Sequence, residues 1–151
     1  MRQFELPIIE GYSGYIPETL LWDAIGRRYR TRYVNEVLRT FTLEEEAGTL
    51  SRPRNPADNA PGGYLEARTV LDHDMRWFPV APIQLFGRAA KVARSGFHSG
   101  HGLRDQWRDL HDPRGKLLWL VAWPAGLLVY LAERLGLRHI GRPRVSKLLP
   151  R

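Results

Sequence analysis

Between Leu117 and Ala132 the chain reads LLWLVAWPAGLLVYLA, sixteen consecutive residues without a charge, and no other stretch is so uniformly apolar. Such a segment must be buried, either in a bilayer or inside a protein. As a helix it is roughly 24 Å long, short of the roughly 30 Å of bilayer hydrocarbon. Leu135 and Leu137 carry the apolar content past Glu133 and Arg134, and basic side chains at both ends reach toward headgroups. A span of about twenty residues is then feasible.

Its details favour lipid. Lys116, Trp119, Tyr130 and Arg134 lie toward the two ends, where interfacial anchors belong, whereas Trp123 is too central for that role. Pro124 and Gly126 are better tolerated in membranes than in soluble helices. Ala122 and Gly126 form a small-xxx-small pair, with Pro124 beside them to kink the helix, so Ala122, Pro124 and Gly126 are the expected packing face for another membrane helix. The competing reading is the central helix of a soluble α-domain, covered by amphipathic neighbours. Six Lys and Arg from Arg134 to Arg151 against four from Arg104 to Lys116 place the C-terminus on the matrix or cytoplasmic side.

The rest of the chain reads as helices and loops. Met1 to Tyr15 mixes apolar residues with Pro7, Gly11 and Gly14 as an extended arm, without the layout of a secretory signal or transit peptide. Pro17 opens an amphipathic helix carrying Leu21, Ile25, Tyr29, Tyr33, Val37 and Phe41 at spacings of four. Arg27, Arg28, Arg30, Arg32 and Arg39 occupy its other face, a pattern of solvated helices that also suits phosphates. Thr42 with Glu45 resembles a capping box.

Pro53, Pro56, Pro61, Gly62 and Gly63 mark Ser51 to Gly63 as a loop, and Tyr64 to Leu71 is the one stretch that approaches a strand. Further helices are expected over Pro82 to Ser95, with Ile83, Phe86, Ala90 and Ala93 on the apolar side, and over Leu103 to Leu110. The fold class is mainly α: an irregular arm, amphipathic helices and one short kinked transmembrane helix. The segments are 1–50 (arm and amphipathic helix), 51–81 (Pro/Gly-rich linker), 82–115 (short helices), 116–137 (transmembrane helix) and 138–151 (basic tail).

A net charge of +7 points to anionic partners. The basic excess is concentrated at the C-terminal end, where Arg138, Arg142, Arg144 and Lys147 are candidate contacts to lipid headgroups or an anionic partner. The absence of cysteine excludes disulfides, thiolate catalysis and Cys-ligated metal within the chain. His98, His101 and His111 lack a carboxylate at a recognisable ligand spacing, and Asp72, His73 and Asp74, being adjacent, cannot all face one ion from a regular element. No nucleophile-elbow or phosphate-loop pattern occurs. The expectation is a protein without catalytic residues, metal or cofactor.

An arm, an amphipathic helix, Pro-rich loops, one span and a basic tail together resemble the supernumerary single-span accessory subunits of mitochondrial respiratory-chain complexes. The resemblance covers the whole chain and rests on architecture. It implies a structural subunit of the mitochondrial inner membrane that contacts other subunits and stabilises assembly of an electron-transfer complex or ATP synthase, with anionic phospholipid a further partner. The alternative is a soluble basic RNA-binding protein of a mitochondrial ribosome, with Arg27 to Arg32 and the tail along phosphates.

Overall fold

A computed structural model describes residues 9–30, 36 and 57–137. Those residues form five α-helices and no strand: α1 (Thr19–Arg28), α2 (Ala60–His73), α3 (Pro82–His98), α4 (Leu103–Asp109) and α5 (Pro113–Arg134), with a single 3-10 turn at Met75–Trp77. The mainly α class is as expected.

Helix α2 occupies the stretch read as linker and strand. Pro61 lies in its first turn, where a missing N–H costs nothing. Gly62 and Gly63 are points of close approach and not breakers: a Cβ on Gly62 would collide with the Tyr15 carbonyl, and one on Gly63 would press on Lys91 Cε at 3.3 Å. The buried Tyr64, Ala67 and Leu71 then recur at helical spacing along one face.

Helix α1 begins at Thr19 and ends at Arg28, where Tyr29 turns extended. A four-residue repeat does not sustain a helix without tertiary support. Here α1 buries Leu20, and Arg27 forks onto Asp74 at the end of α2 through contacts of 2.5 and 3.1 Å. The expected continuation through Tyr33, Val37 and Phe41, the Thr42–Glu45 cap and the basic tail lie outside the described residues.

Helix α3 starts at Pro82 as expected, but its buried face carries Leu85, Ala89, Val92, Ala93 and Gly96. Ile83 and Phe86, assigned to the apolar side from spacing, are exposed. The reason is that α3 is gripped from two sides. It runs antiparallel to α2, since Gly63 faces Lys91 and Ser95 while Glu66 reaches Arg88 and Lys91. It runs parallel to α5, since Gly126 meets Ala90, Ala93 and Arg94 while Tyr130 and Glu133 meet Phe97 and His98.

Helix α4 is the return strap of that parallel pair. Its buried Gln106 donates to the His101 carbonyl at 2.9 Å and accepts the indole N–H of Trp119 at 3.1 Å. Leu110 closes the core formed with Tyr64, Leu71, Leu85, Val92 and Trp119.

Candidate membrane-facing surface

Helix α5 comprises 22 residues, six more than the uncharged stretch, and is the one helix among the described residues long and apolar enough to cross a membrane. Its length is about 33 Å at 1.5 Å per residue. Asp112 caps it by accepting the amides of Arg114 at 2.7 Å and Gly115 at 3.2 Å, and Pro113 fits the first turn.

The start of α5 is fixed by α2. The Asp72 carboxylate accepts the backbone N–H of His111 at 2.7 Å and of Asp112 at 3.1 Å, and Gly115 lies against the Leu71 carbonyl, where a Cβ would come within 2.7 Å. Asp72 is thus a clamp on the backbone that opens α5. No group of three His, Cys, Asp or Glu able to hold a metal ion exists among the described residues.

Two stripes divide α5. Gly115, Trp119, Ala122 and Gly126 are buried, an alternation of three and four that keeps them on one side. Leu117, Leu120, Val121, Pro124, Leu128 and Leu131 are exposed on the other, with Val121 at 70% and Leu128 at 68%. A core helix of a soluble domain buries most of its apolar length; only 22% of the apolar window of α5 is buried. Among the described residues the outer stripe is therefore a large unpartnered apolar surface of the kind that marks protein or membrane contacts.

The expected packing residues separate across these stripes. Ala122 is fully buried in the core, and Gly126 packs closely against α3 of the same chain: a Cβ on Gly126 would strike the Ala90 carbonyl and come within 2.7 Å of the Ala93 methyl. Pro124 is exposed and α5 continues through it, so it takes no part in that contact.

The expected anchors are likewise redistributed. Trp119 is buried and hydrogen-bonded to Gln106, so it is a core residue, because the small residues on either side of it draw that stripe inward. Lys116 lies over the Trp107 ring at 5.2 Å from its centroid. Tyr130 packs on Phe97 and His98, accepts Arg134 Nη1 at 2.9 Å and carries the Arg134 guanidinium near its ring. Arg134 is exposed at the end of α5. Arg138, Arg142, Arg144 and Lys147 lie outside the described residues.

Charge within the bundle is paired. Glu133, almost wholly buried at the end of the apolar stretch, meets Arg94 at 2.8 Å and His98 at 3.0 Å. Glu66 is bracketed by Arg88 and Lys91. Burial alone would raise the Glu66 carboxyl, but hydrogen bonding and attraction from Lys91, with Arg88 beside it, hold it below the ordinary carboxylate value. Tyr64 donates to Asp109 at 2.9 Å and stacks on His101, and burial beside that carboxylate pushes its phenol well up.

Sequence patterning could not find the Gln106–Trp119 bond or the Asp72 clamp, which join residues 13 and about 40 positions apart. One signal was present: Trp77, Phe78 and Val80 follow Arg76 in what reads as a loop, and all three are exposed.

Comparison with protein-family models, with curated proteins and with solved structures finds no match to this chain.

Proposed function

We propose that the chain is a non-catalytic accessory subunit of a membrane protein assembly, with α5 as its membrane-contacting element. The observation that carries this reading is the outer stripe of α5, apolar over its length while the opposite stripe is packed on α2, α3 and α4. A helix of about 33 Å matches the roughly 30 Å of hydrocarbon. The ion pair of Glu133 with Arg94, and its hydrogen-bond contact with His98, lower the cost of carrying that carboxylate at the end of the apolar segment. The architectural resemblance extends the reading to the mitochondrial inner membrane, to a respiratory-chain complex or ATP synthase, and to a C-terminus on the matrix side.

The direct test is fractionation and mild-detergent purification. The expected result is retention in the membrane pellet after carbonate treatment and co-purification with integral subunits of one respiratory complex. Recovery in the soluble fraction would refute it.

One observation favours a second arrangement of the same surface. Glu66, Arg88 and Lys91 cluster on the side of α3 shared with α2, and Lys91 adjoins Ala90, which contacts Gly126 near the middle of α5. Lying in the plane of the interface, α5 would bury its apolar stripe and leave those charges in water. Because the chain has no cysteine, single substitutions Arg114→Cys and Leu135→Cys separate the arrangements. A span places the two thiols on opposite sides of the bilayer for an impermeant reagent, and an in-plane helix places them on the same side.

A further inference from the structure

The 3-10 turn between α2 and α3 and the first two turns of α5 enclose an open cleft of about 440 Å³, walled by Met75, Phe78, Pro79, Leu117, Leu118 and Val121. Its volume falls within the range of small-molecule sites, roughly 300–1,000 Å³. Among the described residues the rest of the lining is Arg76 and Arg114. Neither guanidinium has a carboxylate partner among the described residues, and the aspartates nearest to them along the chain are engaged elsewhere. Asp74 is held by Arg27, Asp72 by the His111 and Asp112 amides, and Asp112 by the amides of Arg114 and Gly115. Arg76 lies over the Trp77 ring at 5.3 Å, a stacking that orients the guanidinium while leaving its donors free.

We infer that this cleft binds one anionic phospholipid, its phosphate held between Arg76 and Arg114 and one acyl chain lying on Leu117, Val121 and Phe78. The inference rests on the membrane reading of α5 and adds a specific lipid to it. Charge complementarity selects the occupant: two unpaired guanidiniums suit a phosphate headgroup. The apolar floor runs from Leu117 to Val121 directly into the outer stripe, as a chain descending from a headgroup requires. Leu117 and Val121 lie three and seven residues past Arg114, roughly 5 and 10 Å further along the axis. That ordering places phosphate contacts at the interface and apolar contacts below it.

The experiment uses the full chain with vesicles of phosphatidylcholine alone and of phosphatidylcholine mixed with phosphatidylglycerol, read by co-sedimentation. Wild type is expected to favour the anionic vesicles. Arg76→Gln with Arg114→Gln should lower that preference about fivefold per arginine, with binding to phosphatidylcholine and the far-UV spectrum unchanged. The control Arg104→Gln with Arg108→Gln removes the same charge from the exposed face of α4 and should change the preference much less. An equal loss in both double variants means diffuse attraction and overturns the inference. So does equal wild-type binding to the two vesicle types, which leaves the membrane reading standing. Failure to bind either vesicle defeats both. If the Arg76 and Arg114 variant loses co-purifying subunits and keeps its lipid preference, the cleft is a protein contact and the inference is wrong.

Discussion

Trp119 donates its indole N–H to the side-chain carbonyl of Gln106 at 3.1 Å, and this bond joins the buried stripe of α5 to the strap that crosses it. Both residues are shut off from solvent. Replacing Trp119 by Phe keeps most of the apolar volume and strands the Gln106 oxygen, a loss expected to be about 1–3 kcal/mol. Adding Gln106→Leu should not recover it, because the His101 carbonyl then loses the amide that donates to it. Urea midpoints of the two variants in detergent check this, and an unchanged midpoint for Trp119→Phe alone would contradict it.

Glycines distinguish packing from propensity in the same molecule. Gly126→Val places methyl groups into the backbone of α3 and is expected to cost about 1–3 kcal/mol or more. Gly87 has nothing within 4 Å of a built Cβ, so Gly87→Ala should stabilise by about 0.5–1 kcal/mol through helix propensity. Opposite signs of the melting shift are the expected outcome.

Acid should loosen the α2–α3 contact through Glu66. Because its folded carboxyl lies below the unfolded value of about 4.3, its stabilising contribution is fully present above that value. It is lost as pH falls through the lower folded value. Glu66→Gln should therefore be less stable than wild type near neutrality and show a flatter acid limb. Parallel stability curves for the two proteins over that range would exclude this role for Glu66.

The outer stripe should matter to location and not to folding. Val121→Asn with Leu128→Asn changes residues that are about two-thirds exposed, so helicity and melting in detergent should hold while recovery in the membrane fraction falls. Ala122→Leu on the opposite stripe should do the reverse and unfold the bundle, since Ala122 is fully buried. A fall in melting temperature for the outer-stripe variant would mean that its side chains pack within the chain.

The sequence made α5 legible through its uncharged apolar run, α3 through Pro82 and its spaced apolar residues, and α4 through the break at Asp112, Pro113 and Gly115. Periodicity found the helices and misassigned the faces. Ile83 and Phe86 obey helical spacing as well as Leu85 and Ala89 do, and only the placement of α2 and α5 on two sides of α3 selects the second set. Helix α2 was hidden for a related reason: Pro61, Gly62 and Gly63 carry loop propensities, and the Tyr15 carbonyl and Lys91 that require small residues there lie far away in sequence. The small residues Ala122 and Gly126 mark a stripe for close approach, and that stripe faces the interior of the same chain. No local pattern indicates that the partner helix belongs to the same chain.

The groove that receives the inner stripe of α5 is built from Leu71, Ala90, Ala93 and Gln106, all of which precede Pro113. During synthesis every residue of the receptor for α5 is thus made before the apolar helix. Half of its surface can dock at once, leaving a single greasy edge for a targeting factor or chaperone to recognise. On this basis a nascent chain stalled behind a flexible linker long enough to carry Leu137 clear of the ribosomal tunnel should cross-link to such factors through Val121 and Leu128 and not through Ala122 or Gly126. Disrupting the groove with Ala93→Asp should open the inner positions to the same factors.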